Sequence, residues 1–435
     1  MGLTKRKSLI TALTIFFISF FIYLINLPFD YKRDFETGLT RRLLTSTDLI
    51  PNTFLSYQII KNKTIDFISL EKNLRPRYFL DAETPYFFIR KEGALYSSYP
   101  ILTGLFAIPF YLIPILANKV PTLLYLKDFL KILAIGRVAA SFYAATSVAL
   151  MYLILDKVGK DKAWKYIFTI FYALGTLTWS ISSRGLWQHT ISQLLVSLVI
   201  LILLNEENKP KLVSLAGLLC GLLVLIRPSN IVFSTIIGLY IFYYHKKKFI
   251  KFCVYTLPTI IFLLIYNYLI FDSPFSEGYS QRGDLGWSFS LIPGLVGFLV
   301  SPARSLLFIS PPLVLSFFGI IKVFTTKNNS NRHNFMLFLS IAFILSLLLM
   351  SKWWGWDGAD AFGYRMLTEF LPIITMFSYM VSEGFNKIGK TILIALIVYS
   401  IYIQANAVIF RKSRCEREHN WSFYCLQPPK RLPKY

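Results

Sequence analysis

Apolar runs long enough to cross a bilayer recur along this chain, and that repetition limits its fold more than any other feature. A helix needs about 20 apolar residues to span a hydrocarbon core of ~30 Å. Stretches of that kind follow one another between Leu9 and Phe410. Inside a membrane every backbone N–H and C=O must be bonded within the protein, so a spanning chain is helical or a closed barrel. Barrel strands alternate apolar and polar residues, and these runs do not. The sequence therefore predicts an all-α polytopic membrane protein. One long polar segment, Phe29–Tyr99, separates the first apolar helix from the others.

The net charge of +23 on 435 residues lies largely in short loops, where Lys and Arg mark the cytoplasmic ends of spans. No base-reading or stacking module accompanies it, so nucleic acid is not an expected partner. The opening MGLTKRKS resembles a signal peptide, but the apolar run behind it lacks a small-residue cleavage site, so it reads as a retained helix. Lys5, Arg6 and Lys7 place the N-terminus in the cytoplasm. Inner loops follow at Lys157–Lys165, at Lys209 and Lys211, at Lys246–Lys251, at Lys322–Arg332, and at Lys387 and Lys390.

Between these anchors, spans fall near 134–156, 164–181, 187–204, 211–226, 229–245, 250–271, 304–322, 334–351, 366–384 and 391–410. With helix one over Leu9–Leu27 the total is about eleven. The outer segments are the large first loop, 181–187, 226–229, 272–303, 352–365 and the C-terminal tail. Ile101–Leu133 is apolar but interrupted by Pro109, Pro114 and Pro121. Parity requires it to cross twice or not at all. Helices at or partly entering the outer face are expected, with two crossings, and about thirteen spans, as the alternative. The chain reads as one membrane domain in the plasma (inner) membrane: a first helix (1–28), an outer loop with interfacial or re-entrant helices (29–133), a bundle (134–410) and an outer tail (411–435).

Cysteine agrees with this sidedness. Cys220 and Cys253 fall in apolar spans and read as packing residues. Cys415 and Cys425 lie in the outer tail, in CEREHNWSFYC, where an oxidising exterior permits a disulfide; two free thiols are the alternative.

Polar clusters gather in the outer segments. In TGLTRRLLTSTDLIPNTFLSYQIIK, Asp48 precedes Pro51 and a run with an apolar face, so it reads either as a helix cap or as a chemical group. Asp34, Glu36 and Asp66 nearby read as solvated. YSSYPILTGLFAIP brings Ser98 and Tyr99 to a Pro-broken apolar segment. SSRGLWQHT places Arg184, Gln188 and His189 at a membrane edge, where polar residues entering a helix commonly face a site. LIRPSN sets Arg227 between two spans, either snorkelling or binding an anion in fork geometry. Arg304 stands where the chain re-enters the membrane, after a Gly/Pro-rich piece over 291–302 that is too short to span. Glu277 and Arg282 read as a solvated loop. Finally, KWWGWDGADAFGYRMLTEFLP gathers Trp353, Trp354, Asp357, Asp360, Tyr364 and Arg365 in one short loop. Aromatic planes beside carboxylates hold a sugar by stacking on its apolar face and bonding its hydroxyls.

In order and sidedness these motifs resemble the bacterial polytopic glycosyltransferases of the GT-C superfamily, the group that includes protein O-mannosyltransferases and aminoarabinose transferases. The resemblance covers nearly the whole chain. It implies an inverting transfer of a sugar from a polyprenyl-phosphate donor to an acceptor hydroxyl at the outer face, the acceptor being a glycan, lipid or protein. It also implies that Asp48 is the base and that an arginine (Arg365, Arg304, Arg227 or Arg184, in that order) or a divalent metal such as Mg or Mn stabilises the leaving phosphate. Many relatives carry paired carboxylates in the first loop. Here Thr47 and Leu49 flank Asp48, which leaves metal dependence open and Asp34 or Asp357 as other possible bases. A lipid-linked sugar flippase or other transporter is the alternative function; it predicts internal repeats, and no convincing repeat is present.

Overall fold

The computed structural model describes residues 3–79, 83–119, 125–206, 210–279, 286–410, 415 and 417–427. Pro121, Lys209 and Arg282, and the side chain of Lys5, lie outside the described residues. Most of the described residues are helical. Five stretches are long and apolar enough to cross a membrane: Arg6–Thr37, Leu126–Val158, Lys246–Phe271, Asn331–Ser351 and Lys387–Ile409. Shorter apolar helices, among them Leu102–Leu116, Gln188–Leu203, Lys211–Ile226, Leu291–Val300 and Pro311–Thr325, stand among them.

The surface of these helices suits lipid. Lys246–Phe271 exposes Ile250, Val254, Leu257, Ile261, Ile265 and Leu269, spaced three or four residues apart along one helical face. The first helix, Leu3–Leu24, does the same with Leu9, Ile10, Leu13, Phe17 and Phe21. Contiguous apolar stripes of this length are not tolerated on a surface that faces only water.

The basic segments that the sequence reading places on one side meet one another. Ser8 donates to Asp156 at 3.0 Å, and Lys165 pairs with Asp156. Arg332 donates to the Lys157 carbonyl at 2.8 Å, and Lys390 pairs with Asp161 at 2.8 Å. The backbone N–H groups of Lys160 and Asp161 both donate to Glu383 at 2.7 Å.

Three features differ from the sequence reading. Helix one ends at Leu24, and after a turn a second helix, Leu27–Thr37, occupies the start of the segment read as a polar loop. The Ile101–Leu133 stretch holds the helix Leu102–Leu116, with Pro109 and Pro114 inside it, and then the start of a single helix Leu126–Val158. That second helix has 33 residues, or about 50 Å at ~1.5 Å per residue, well beyond one hydrocarbon core. The first loop also contains a β-hairpin, Phe88–Lys91 paired antiparallel with Ala94–Ser97. Its two turn residues, Glu92 and Gly93, both have positive φ (49° and 79°), the geometry that matches the twist of a two-residue hairpin. Nothing apolar and periodic announced so short a hairpin. The Gly/Pro-rich piece forms the helix Leu291–Val300 of 10 residues, too short to cross alone.

Candidate active site

A cavity of about 620 Å³ opens where six segments distant in sequence converge. Thr47, Asp48, Asn52, Tyr86 and Tyr99 come from the first loop, Trp187, Gln188 and His189 from the second segment, and Arg227, Pro228 and Ser229 from the third; Glu277, Tyr279 and Trp287, then Trp353, Trp354, Gly355, Ala359, Asp360, Arg365 and Met366, and Arg417 from the tail complete the lining. Segments far apart in sequence thus build one wall.

Asp48 is its central carboxylate. Ser46 takes the capping role, accepting from the Asp48 N–H at 3.2 Å at the start of the short 3-10 turn Thr47–Leu49. Pro51 then opens the helix Ile50–Tyr57. The Asp48 side chain is therefore free of capping and turns to three other donors. Tyr86 and Tyr99 donate to Oδ1 at 2.6 and 2.9 Å, and Arg365 Nη1 donates to Oδ2 at 2.7 Å. The hairpin explains the tyrosines. Phe88 pairs with Ser97, so Tyr86 and Tyr99, two residues outside that pair, leave it side by side. Ser98 donates to the Tyr86 carbonyl at 3.0 Å and is buried; it braces Tyr86 rather than facing the cavity. Gly278 approaches so closely that a Cβ there would lie 2.1 Å from the Ser98 carbonyl oxygen. This contact seats Tyr279 against Tyr99 and Trp353 (ring centroids 5.6 and 5.9 Å), with its hydroxyl 3.0 Å from Gln188 Oε1.

Burial alone would raise the Asp48 carboxyl. The Arg365 charge, with the hydrogen bonds from Tyr86, Arg365 and Tyr99, outweighs it and holds the group below the ordinary carboxylate value. Burial first and the Asp48 charge second push the Tyr86 hydroxyl far above its usual value, so Tyr86 remains a donor. The Arg365 guanidinium also packs over the Trp187 ring at 4.4 Å, a cation–π contact that fixes its plane.

A second polar group lies behind the first. Glu369, fully buried, accepts from Arg227 Nη1 and sits 2.6 Å from His189 Nδ1. The other terminal nitrogen of Arg227 faces the sulfurs of Met350 and Met366 at 3.4 and 3.3 Å. Four more N–H groups of cavity residues, Trp187 Nε1, Gln188 Nε2, Trp354 Nε1 and Arg365 Nε, are buried without a partner among the described residues. Buried donors cost free energy when unpaired, so these four groups lie in the packing behind the wall as a local cost of the fold.

The cavity thus brings together Asp48, Tyr99, Gln188, His189, Arg227, Trp353, Trp354, Asp360 and Arg365 from the sequence reading. Other candidates are placed elsewhere. Arg184 is buried against Asp30, donating to Oδ2 at 2.9 Å, with Arg137 at 3.5 Å and Arg42 at 3.8 Å from the same carboxylate. Arg304 is fully buried and gives its N–H groups to Asn420 and to the carbonyls of Ala359, Ala361 and Cys415. Neither guanidinium faces the cavity; each staples loops together. Tyr364 is buried with its hydroxyl 2.7 Å from Ser310. Asp357 is buried between Asn420 Nδ2 at 2.9 Å and Arg417 Nε at 3.1 Å. Asp34 accepts the backbone N–H groups of Arg42 and Leu43 at 2.8–2.9 Å and is no base. Cys415 and Cys425 form a disulfide, Cα–Cα 5.8 Å. A loop of this size contributes about 2–3 kcal/mol in the chain-entropy account.

Glu277, read from the sequence as a solvated loop residue, lines the cavity, and Tyr86, Tyr279, Glu369 and Arg417 were not singled out by the sequence. Glu369 had a signal, a carboxylate four residues beyond Arg365 at the head of an apolar helix. Tyr86 had none without the hairpin. As for a metal, no three His, Cys, Asp or Glu side chains converge among the described residues. Asp48 stands alone with a guanidinium on one oxygen, and that positive charge opposes a cation there. The donor set does not fit Mg or Mn at Asp48.

Comparison with protein-family models, curated proteins and solved structures gave no match.

Proposed function

We propose that this chain is a polytopic membrane glycosyltransferase that moves a sugar from a polyprenyl-phosphate donor to an acceptor hydroxyl, with inversion, at the extracytoplasmic face. One observation carries the reading. A carboxylate held ionised by an arginine and two tyrosines lies in a cavity walled by Trp187, Trp287, Trp353 and Trp354. Indole faces suit the apolar face of a sugar ring.

Asp48 acts as the base. An ionised carboxylate offers about four acceptor positions; Tyr86, Tyr99 and Arg365 fill three, which leaves one for an acceptor hydroxyl. A carboxylate held this low is a weak base toward a resting alcohol. It suffices in a displacement where the attacking oxygen turns acidic as its bond to the sugar forms, and such help is worth about 10²–10⁴-fold. Arg365 touches this base and stands in the same wall as Arg227, so the pair supplies positive charge where the leaving phosphate gains negative charge.

Purified protein should release sugar from a panel of short-chain polyprenyl-phosphate sugars in the presence of acceptor hydroxyls. A protein that instead carries the intact donor across proteoliposomes, without cleaving it, is a flippase and the transfer reading fails.

A further inference from the structure

Three guanidinium groups line the cavity, and two commit a terminal nitrogen to a carboxylate. Arg365 donates to Asp48, and Arg227 to Glu369. The third, Arg417, comes from the C-terminal tail and stands differently. Its Nε lies 3.1 Å from Asp357, and its plane packs over the Trp354 ring at 4.6 Å. Its terminal nitrogens have no hydrogen-bond partner among the described residues, and the side chain is 43% exposed.

The tail that carries it is fastened at many points. The disulfide Cys415–Cys425 closes the loop, and the Cys415 N–H donates to the Asp360 carbonyl at 2.7 Å. Asn420 accepts from Ser301 and Arg304 and donates to Asp357. Arg304 completes the attachment through the Ala359 and Cys415 carbonyls. All of these contacts fall on the loops around 301–305 and 357–361, and the second of these lines the cavity. A solvated tail would need none of them. They hold one cation, with a fixed plane and free terminal N–H groups, at the mouth of the site.

We propose that the Cys415–Cys425 loop is part of the binding site and that Arg417 takes an oxyanion, a phosphate or a carboxylate, of the bound substrate. This rests on reading the cavity as the substrate site. A guanidinium held at Nε and stacked on an indole keeps its outer fork available, the geometry that bonds an oxyanion through two parallel N–H groups. The disulfide positions that fork.

The test titrates full-length protein in detergent by tryptophan fluorescence with farnesyl phosphate, farnesol and glucuronate. Arg417→Ala leaves Cys415 and Cys425 in place, and its unfolding midpoint is compared with the wild type before titration. It should weaken farnesyl phosphate at least tenfold and leave farnesol unchanged, with Arg417→Lys in between. Dithiothreitol on the wild type should reproduce the Arg417→Ala loss. If glucuronate rather than farnesyl phosphate weakens, the oxyanion belongs to the acceptor and the assignment of Arg417 stands. If no anion weakens, or if farnesol weakens equally, Arg417 only packs on Trp354 and the proposal is overturned. A protein that turns over no sugar donor while Arg417 still discriminates anions would fail the transfer reading alone.

Discussion

Arg365 donates from Nη1 to Asp48 Oδ2 at 2.7 Å, joining the large first loop to the tryptophan-rich loop that precedes the helix Leu371–Ser382. The two side chains are 6% and 19% exposed. Such a pair is well shielded from bulk water, so removing one partner strands the other.

Arg365 variants should therefore separate charge from geometry. Arg365→Ala leaves Asp48 with only its two tyrosine donors, and we expect sugar transfer to fall by about 10²-fold or more. Arg365→Lys keeps the charge but loses the fork and the stack on Trp187, and should recover only part of that loss. Steady-state kinetics on the purified variants gives the answer; equal activity in Arg365→Ala would remove Arg365 from the site's chemistry.

The pH dependence follows from the sign of the Asp48 shift. Its folded value lies below the ordinary carboxylate value, so the pair's contribution is fully present above about pH 4 and is lost as pH falls through the depressed value. Glu277, in the same cavity, moves the other way; burial raises it, so it takes up a proton first on acidification. Asp48-dependent activity should hold down to about pH 4. Infrared titration of the carboxylate band, wild type against Asp48→Asn, would reveal an Asp48 that protonates above that range and so contradict the assignment.

Arg184 and Arg304 should behave as structural residues. Asp30 sits among Arg42, Arg137 and Arg184 in a buried cluster. Asp30→Ala would leave three guanidinium groups without that carboxylate, at a cost of about 3–5 kcal/mol. Arg184→Met and Arg304→Met should likewise lower the unfolding midpoint while folded protein keeps its donor affinity. A selective loss of donor affinity with unchanged stability would return either residue to the site.

How much of this was legible in the sequence depends on the range of the signal. Hydropathy and Lys/Arg placement work over whole spans, so the helical class and the grouping of Asp48, His189, Arg227, Trp353 and Arg365 in polar segments between spans could be read directly. Pairing between segments could not. Arg304 and Arg365 look alike in sequence, each an arginine beside a span; only the approach of Asn420 and the Cys415 carbonyl shows that Arg304 is saturated. Asp34 reads as a solvated carboxylate until the chain turns back and brings the Arg42 and Leu43 N–H groups onto it. Tyr86 becomes a ligand of Asp48 through the register of a hairpin of four-residue strands, below the length at which alternation gives a signal.

The most direct measurement compares wild type with Asp48→Asn, titrated with a short-chain polyprenyl-phosphate sugar while binding and sugar release are followed together. Asparagine keeps the size and loses the charge. The account predicts that the variant binds donor within a few-fold of wild type and loses transfer by about 10²-fold or more. Equal turnover in both proteins would contradict it and leave Asp48 as a structural partner of Arg365.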